Sequence, residues 1–165
     1  MPVPFLKTSK RAEATPSSVV EALNLRQRAG FDQLLAAVTE THGKPIVIRN
    51  IDNSAMPNVT GLWIETDKKS VILLPERDSE LHRAHAACHE FGHILLGHDG
   101  CGAAVGPIPS LFQHIGRNSG IKRMLARSLH WNEEEKAAER VAYLLSKALR
   151  QKDPEGSSEF ERTFL

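Results

Sequence analysis

The chain has 165 residues, 41% hydrophobic and 25% charged, which is enough apolar content to bury one core, so a single soluble globular domain is expected. A net charge of +1 without a basic arm argues against direct nucleic-acid binding as the main role. No apolar run approaches membrane-spanning length, and the opening MPVPFLKTSK lacks the apolar stretch of a secretory signal, so a cytoplasmic protein is expected.

Residues 1–16 carry Pro2, Pro4 and Pro16 without periodicity and read as a mobile leader. From Ser17 or Ser18, either a good cap, the apolar positions Val20, Leu23, Leu25, Phe31, Leu34, Leu35 and Val38 predict one long helix or two shorter ones hinged near Gly30. Thr41-His42-Gly43 closes it, and His42 there needs no chemical role because a helix C-terminus favours such a residue. Three strands follow: KPIVIRNI from Lys44, GLWIE from Gly61 and SVILL from Ser70. The last two flank Thr66-Asp67-Lys68-Lys69 as a hairpin.

Pro75 ends the third strand, and Asp78 or Ser79 can cap the helix that runs to Gly97. This helix holds His89-Glu90-Phe91-Gly92-His93. At about 100° per residue, His82, His85 and His93 fall within about 40° of His89, while Leu81, Ala84, Ala87, Cys88, Phe91, Ile94 and Leu95 fall on the opposite arc. Two imidazoles four residues apart on one helical face can bind one metal ion, and Glu90 beside them can activate a water. This is the HExxH arrangement of zinc hydrolases.

Cys88, on the apolar arc, and Cys101, just after the motif, read as small buried or partly buried thiols rather than a disulfide framework. Residues 99–120 are glycine-rich and read as a loop with a short apolar patch at Ile108, Leu111 and Phe112. A short helix is expected from Ile121 to about His130, with Lys122, Arg123 and Arg127 on a solvated face. A longer one is expected from the cap Asn132 to Leu149, and 151–165 is expected to be a tail.

A catalytic zinc site needs a third protein ligand and an open fourth position. Leu96 and Asp99 stand where a metzincin would have Gly and His, and HxxEH is absent. A continued helix would point His98 about 180° from His89, but Gly97 ends the helix, so a structural or supporting role is expected for His98. What remains is a glutamate from the last helix, among Glu133, Glu134, Glu135 and Glu139. Periodicity slightly favours Glu134, in the middle of the arc of Ala138, Val141 and Leu145, with Glu135 at its edge.

HEFGHILLGH, together with Glu135-Lys136-Ala137-Ala138-Glu139-Arg140-Val141-Ala142-Tyr143-Leu144-Leu145, resembles the ImmA/IrrE family of metallopeptidases, whose second motif reads E-x-x-A-N-x-F-A before a leucine pair. Glu139 stands where that family has Asn, Val141 where it often has Phe, and the proline that commonly follows is missing. The residues themselves give an α+β order, a helix, a small three-stranded antiparallel sheet, the HExxH helix and a last helix; the resemblance extends over residues 17–150 and implies that this domain is zincin-like. It implies zinc held by His89, His93 and Glu135, although the same ligands also hold Mn2+ and other divalent ions. Glu139 stands where related gluzincins place a carboxylate that orients a ligand histidine, and His85 could assist there or replace a ligand.

The expected function is zinc-dependent peptide hydrolysis with Glu90 as the base. Tyr143, His114 and His130 are unranked candidates for stabilising the oxyanion. By resemblance, the substrate is a separate helix-turn-helix repressor or antitoxin. The alternative is a toxin or effector module in which the metal site is structural. Against it, a structural site would not need Glu90.

Overall fold

The structure, a computed structural model, describes residues 14–26, 29–52, 54, 60–98, 121–126 and 132–150. The N-terminal apolar pattern forms two helices, α1 (Pro16–Ala22) and α2 (Phe31–His42). The first begins earlier than Ser17. Thr15 is its cap, accepting from the Ser18 amide at 3.2 Å, and Ser18 Oγ returns the bond from the Thr15 amide at 2.9 Å. Gly30 caps α2 with its own amide donating to Gln33 Oε1, and Gly43 at φ 74° closes it in the left-handed region.

Strands β1 (Ile46–Ile51), β2 (Leu62–Thr66) and β3 (Ser70–Pro75) form where alternation predicted them. The β2–β3 hairpin pairs Glu65 with Ser70 and Leu62 with Leu73. Its turn is tied by the Thr66 amide donating to the Lys69 carbonyl at 2.8 Å and by Thr66 Oγ1 accepting from the Lys69 amide at 3.1 Å.

The expected all-antiparallel sheet is corrected to a mixed one. β1 lies beside β3, not β2, and runs parallel to it, Ile46 opposite Ser70 through Ile51 opposite Pro75. Alternation reports which faces are buried but not strand direction, and the stretch between β1 and β2 lets the chain return on the far side of β3.

A fourth strand also joins the sheet. Ile121–Ala126, expected to be helical, forms β4 antiparallel to β2, giving the order β1-β3-β2-β4. Ile121, Met124 and Leu125 have helical spacing, but β2 is buried along its length and its second edge needs hydrogen-bond partners, so sheet pairing prevails over local pattern. Residues 127–130 of that expected helix, the leader to residue 13, the 99–120 loop and the 151–165 tail lie outside the described residues.

The HExxH helix, α3 (Glu80–Leu96), starts at Ser79, whose Oγ accepts from the His82 amide, and ends at Gly97 with φ 67°. The last helix, α4, spans Glu133–Arg150. One core joins Phe31, Leu34 and Val38 of α2, Trp63, Ile72 and Leu74 of the sheet, Cys88 and Phe91 of α3, and Val141, Ala142 and Leu145 of α4. Phe31 stacks on Phe91 with ring centroids 6.0 Å apart.

At the far end of the sheet the buried Glu65 takes Lys44 Nζ at 2.6 Å, and Ser70 Oγ meets both Trp63 Nε1 at 3.0 Å and His42 Nε2 at 2.8 Å. These bonds satisfy polar groups that burial would otherwise penalise.

Candidate metal centre

The two long helices α3 and α4 touch backbone to backbone. A Cβ built on Gly92 would lie 2.7 Å from the Ala138 carbonyl oxygen and 2.9 Å from its Cα, so only glycine permits this approach. Gly92 lies between His89 and His93, and Ala138 follows Glu135 by about one helical turn, so this contact carries Glu135 to the two histidines. Asn132 fixes the first turn of α4, its Oδ1 accepting from the Glu135 amide at 2.8 Å. Glu135 also sits where the helix dipole favours a carboxylate.

His89, His93 and Glu135 are all buried, at 2%, 1% and 8% exposure, and can hold a metal ion. His89 Nε2 is 3.1 Å from His93 Nε2 and 3.3 Å from Glu135 Oε2, and His93 Nε2 is 3.5 Å from Glu135 Oε1. A tetrahedral ion with ligands at about 2.05 Å holds any two of them about 3.3 Å apart, so these atoms have the spacing of one face of such a tetrahedron. The donor set also fits an ion. Glu139 Oε2 lies 3.1 Å from His89 Nδ1, where it can accept a proton on Nδ1 and so leave Nε2 bare toward an ion held with the other two groups.

Burial lowers the pKa of His93 to about 3. The proximity of His89 and, more weakly, of His98 adds to this, while Glu135 opposes it, so the ring is neutral, as a ligand must be. Burial raises Glu139, but the hydrogen bonds and charges of His85 and His89 outweigh it and leave the carboxyl below its ordinary range.

The structure brings Glu135, not Glu134, to the histidines. Glu134 is half-buried, and its charge pulls the His98 pKa upward against burial, which lowers it. His85 is no ligand to this site: its Nε2 bonds Glu139 Oε1 at 2.9 Å and its Nδ1 bonds Ser146 Oγ at 3.3 Å. One carboxylate therefore holds two imidazoles, one per oxygen. His82 is exposed at the start of α3.

Glu90 is buried at 2% exposure, and its Oε1 lies 2.9 Å from where a Cβ on Gly61 would stand. Gly61, just before β2, reads in the sequence only as a strand end; its contact with Glu90 spans 29 positions in the chain and leaves no local signal. Tyr143 is exposed beneath Arg140, whose guanidinium carbon is 5.4 Å from the ring centroid. His114, His130 and Cys101 lie outside the described residues. Cys88 is a buried free thiol pushed up to about 12 by burial, against a hydrogen bond with Ser146.

Compared with known protein families, with curated proteins and with solved structures, the chain matches none.

Proposed function

We propose that the protein is a metal-dependent endopeptidase in which His89, His93 and Glu135 hold a zinc ion and Glu90 is the catalytic base. The observation that carries this reading is the tetrahedral spacing of the three buried ligand atoms, with a buried carboxylate next to His89 in the chain. A bound divalent ion supplies Lewis acidity to a water and to a carbonyl oxygen.

Glu90 takes the proton of the attacking water as its oxygen bonds to the scissile carbonyl carbon. It then returns a proton to the amine as the carbon–nitrogen bond breaks. Gly61 leaves room for the Glu90 carboxylate on the β2 side. Glu139 holds the His89 ring, and His85, itself held by Ser146, holds Glu139.

The resemblance of HEFGHILLGH to the ImmA/IrrE family supports a regulatory peptidase whose substrate is a separate DNA-binding repressor or antitoxin. Among the described residues no helix is long and apolar enough to cross a membrane. The test is Glu90→Gln, assayed for zinc content and for cleavage of the partner protein. Retained zinc with cleavage abolished supports a peptidase. A variant that keeps its full biological effect points instead to a metal-binding interaction module.

A further inference from the structure

We propose that His98 is a positioning residue that determines which ring nitrogen of His93 faces Glu135 and His89. The inference rests on the metal-centre reading above. On a continued helix His98 would point about 180° away from His89. The left-handed Gly97 reverses the chain instead, with the Gly97 amide donating to the Ile94 carbonyl at 3.2 Å and the His98 amide to the His93 carbonyl at 3.0 Å. This turn lays the His98 ring against that of His93, with centroids 5.1 Å apart and planes at 65°, and brings the two Nδ1 atoms within 2.9 Å.

A hydrogen bond between two imidazole nitrogens uses one proton, so one ring donates and the other accepts. When His93 donates, its proton is on Nδ1 and its Nε2 lone pair is available to a cation. When His98 donates, the His93 proton moves to Nε2, 3.1 Å from Nε2 of His89, and the ring is blocked as a ligand. The two ligand histidines therefore differ. His89 Nδ1 faces the Glu139 carboxylate, which can only accept and so favours the tautomer with the proton on Nδ1 once a cation takes Nε2. His93 faces an imidazole able to play either part, so its readiness to bind metal depends on the proton of His98 residing on Nε2.

The experiment compares full-length wild type with His98→Phe and His98→Gln. Zinc affinity is read by competition with a chromophoric chelator, and the ring nitrogens by 15N–1H NMR of the zinc-loaded proteins. Phe preserves a ring against His93 without an acceptor, whereas Gln restores an acceptor oxygen. The expected result is an affinity loss of about 10–100-fold for Phe with partial recovery for Gln. The His93 Nδ1–H proton resonates downfield in wild type and in His98→Gln, and moves upfield in His98→Phe.

Wild-type affinity together with an unshifted proton in His98→Phe would overturn the role of His98 while leaving the metal centre standing. A wild type that takes up no zinc would overturn both. Far-UV circular dichroism checks folding. If His98→Phe does not fold, His98→Gln decides: keeping the downfield proton and most of the affinity supports the role, and losing both refutes it.

Discussion

Gly92 and Ala138 meet so closely that a methyl group on Gly92 would stand 2.7 Å from the Ala138 carbonyl oxygen, a backbone atom that cannot swing aside. Two effects oppose each other in Gly92→Ala. Alanine favours a helix interior by roughly 0.5–1 kcal/mol, whereas overpacking a tight contact costs roughly 1–3 kcal/mol. The clash prevails, and relieving it moves α4, with Glu135, away from the histidines. Chemical denaturation should show a loss of about 1–2 kcal/mol. Chelator competition should show weakened zinc binding; unchanged affinity would mean that this contact does not set the ligand spacing.

Gly61→Ala should separate activity from stability. The atom in its way is Glu90 Oε1, the end of a flexible side chain, so the helix need not move. Thermal denaturation and metal content should stay near wild type, while under the proposed mechanism kcat falls by up to about a hundredfold because Glu90 is displaced. Full activity in this variant would argue against Glu90 working from the position seen here.

Glu139→Gln tests the carboxylate shared by His85 and His89. The amide has the same shape but one oxygen, so it cannot accept from both rings and carries no charge to strengthen His89 as a ligand. Zinc affinity should fall about 10–100-fold, measured against wild type with a competing chelator. Unaltered affinity would show that the negative charge is dispensable.

The pH dependence of the metal-free protein follows from His93. Its pKa falls from 6.5 to about 3 on folding. Between those values the unfolded chain binds the proton that the folded one excludes, so stability rises with pH through that window and is lost in acid. The slope is at most about 1.4 kcal/mol per pH unit. Glu139, whose folded pKa is lowered, acts in the same direction: its stabilisation is present above its ordinary pKa of 4.5 and is lost on acidification. Denaturation midpoints with chelator present should fall between pH 6.5 and 4, and His93→Gln should flatten the upper part of that curve. An unchanged slope in the variant would assign the acid sensitivity elsewhere.

The legible parts of the fold were those determined locally. Gly43 and Gly97 ended helices because the turns need a left-handed residue, and Thr66 to Ser70 turned because Thr66 satisfies the loop with its own hydroxyl. Nonlocal pairing was not legible. The direction of β1 leaves no trace in alternation, and β4 has helical spacing overruled by the open edge of β2.

At the candidate metal centre, His89 and His93 were readable because they share one helix. Periodicity centred the buried arc of α4 on Glu134, yet the Gly92–Ala138 approach makes Glu135 the buried glutamate. The contacts of Gly61 with Glu90 and of His98 with His93 arise only once the chain has turned back on itself.

The most direct test of the central claim is the metal content of purified protein by elemental analysis, comparing wild type with His93→Ala, Glu135→Ala and Glu90→Gln. Wild type and Glu90→Gln should each carry a single zinc ion per chain, and the other two variants should lose it. Well-folded wild type that takes up no metal when zinc is added would rule out a metal centre at His89 and His93, and Glu135→Ala that binds zinc undiminished would rule out Glu135 as a ligand.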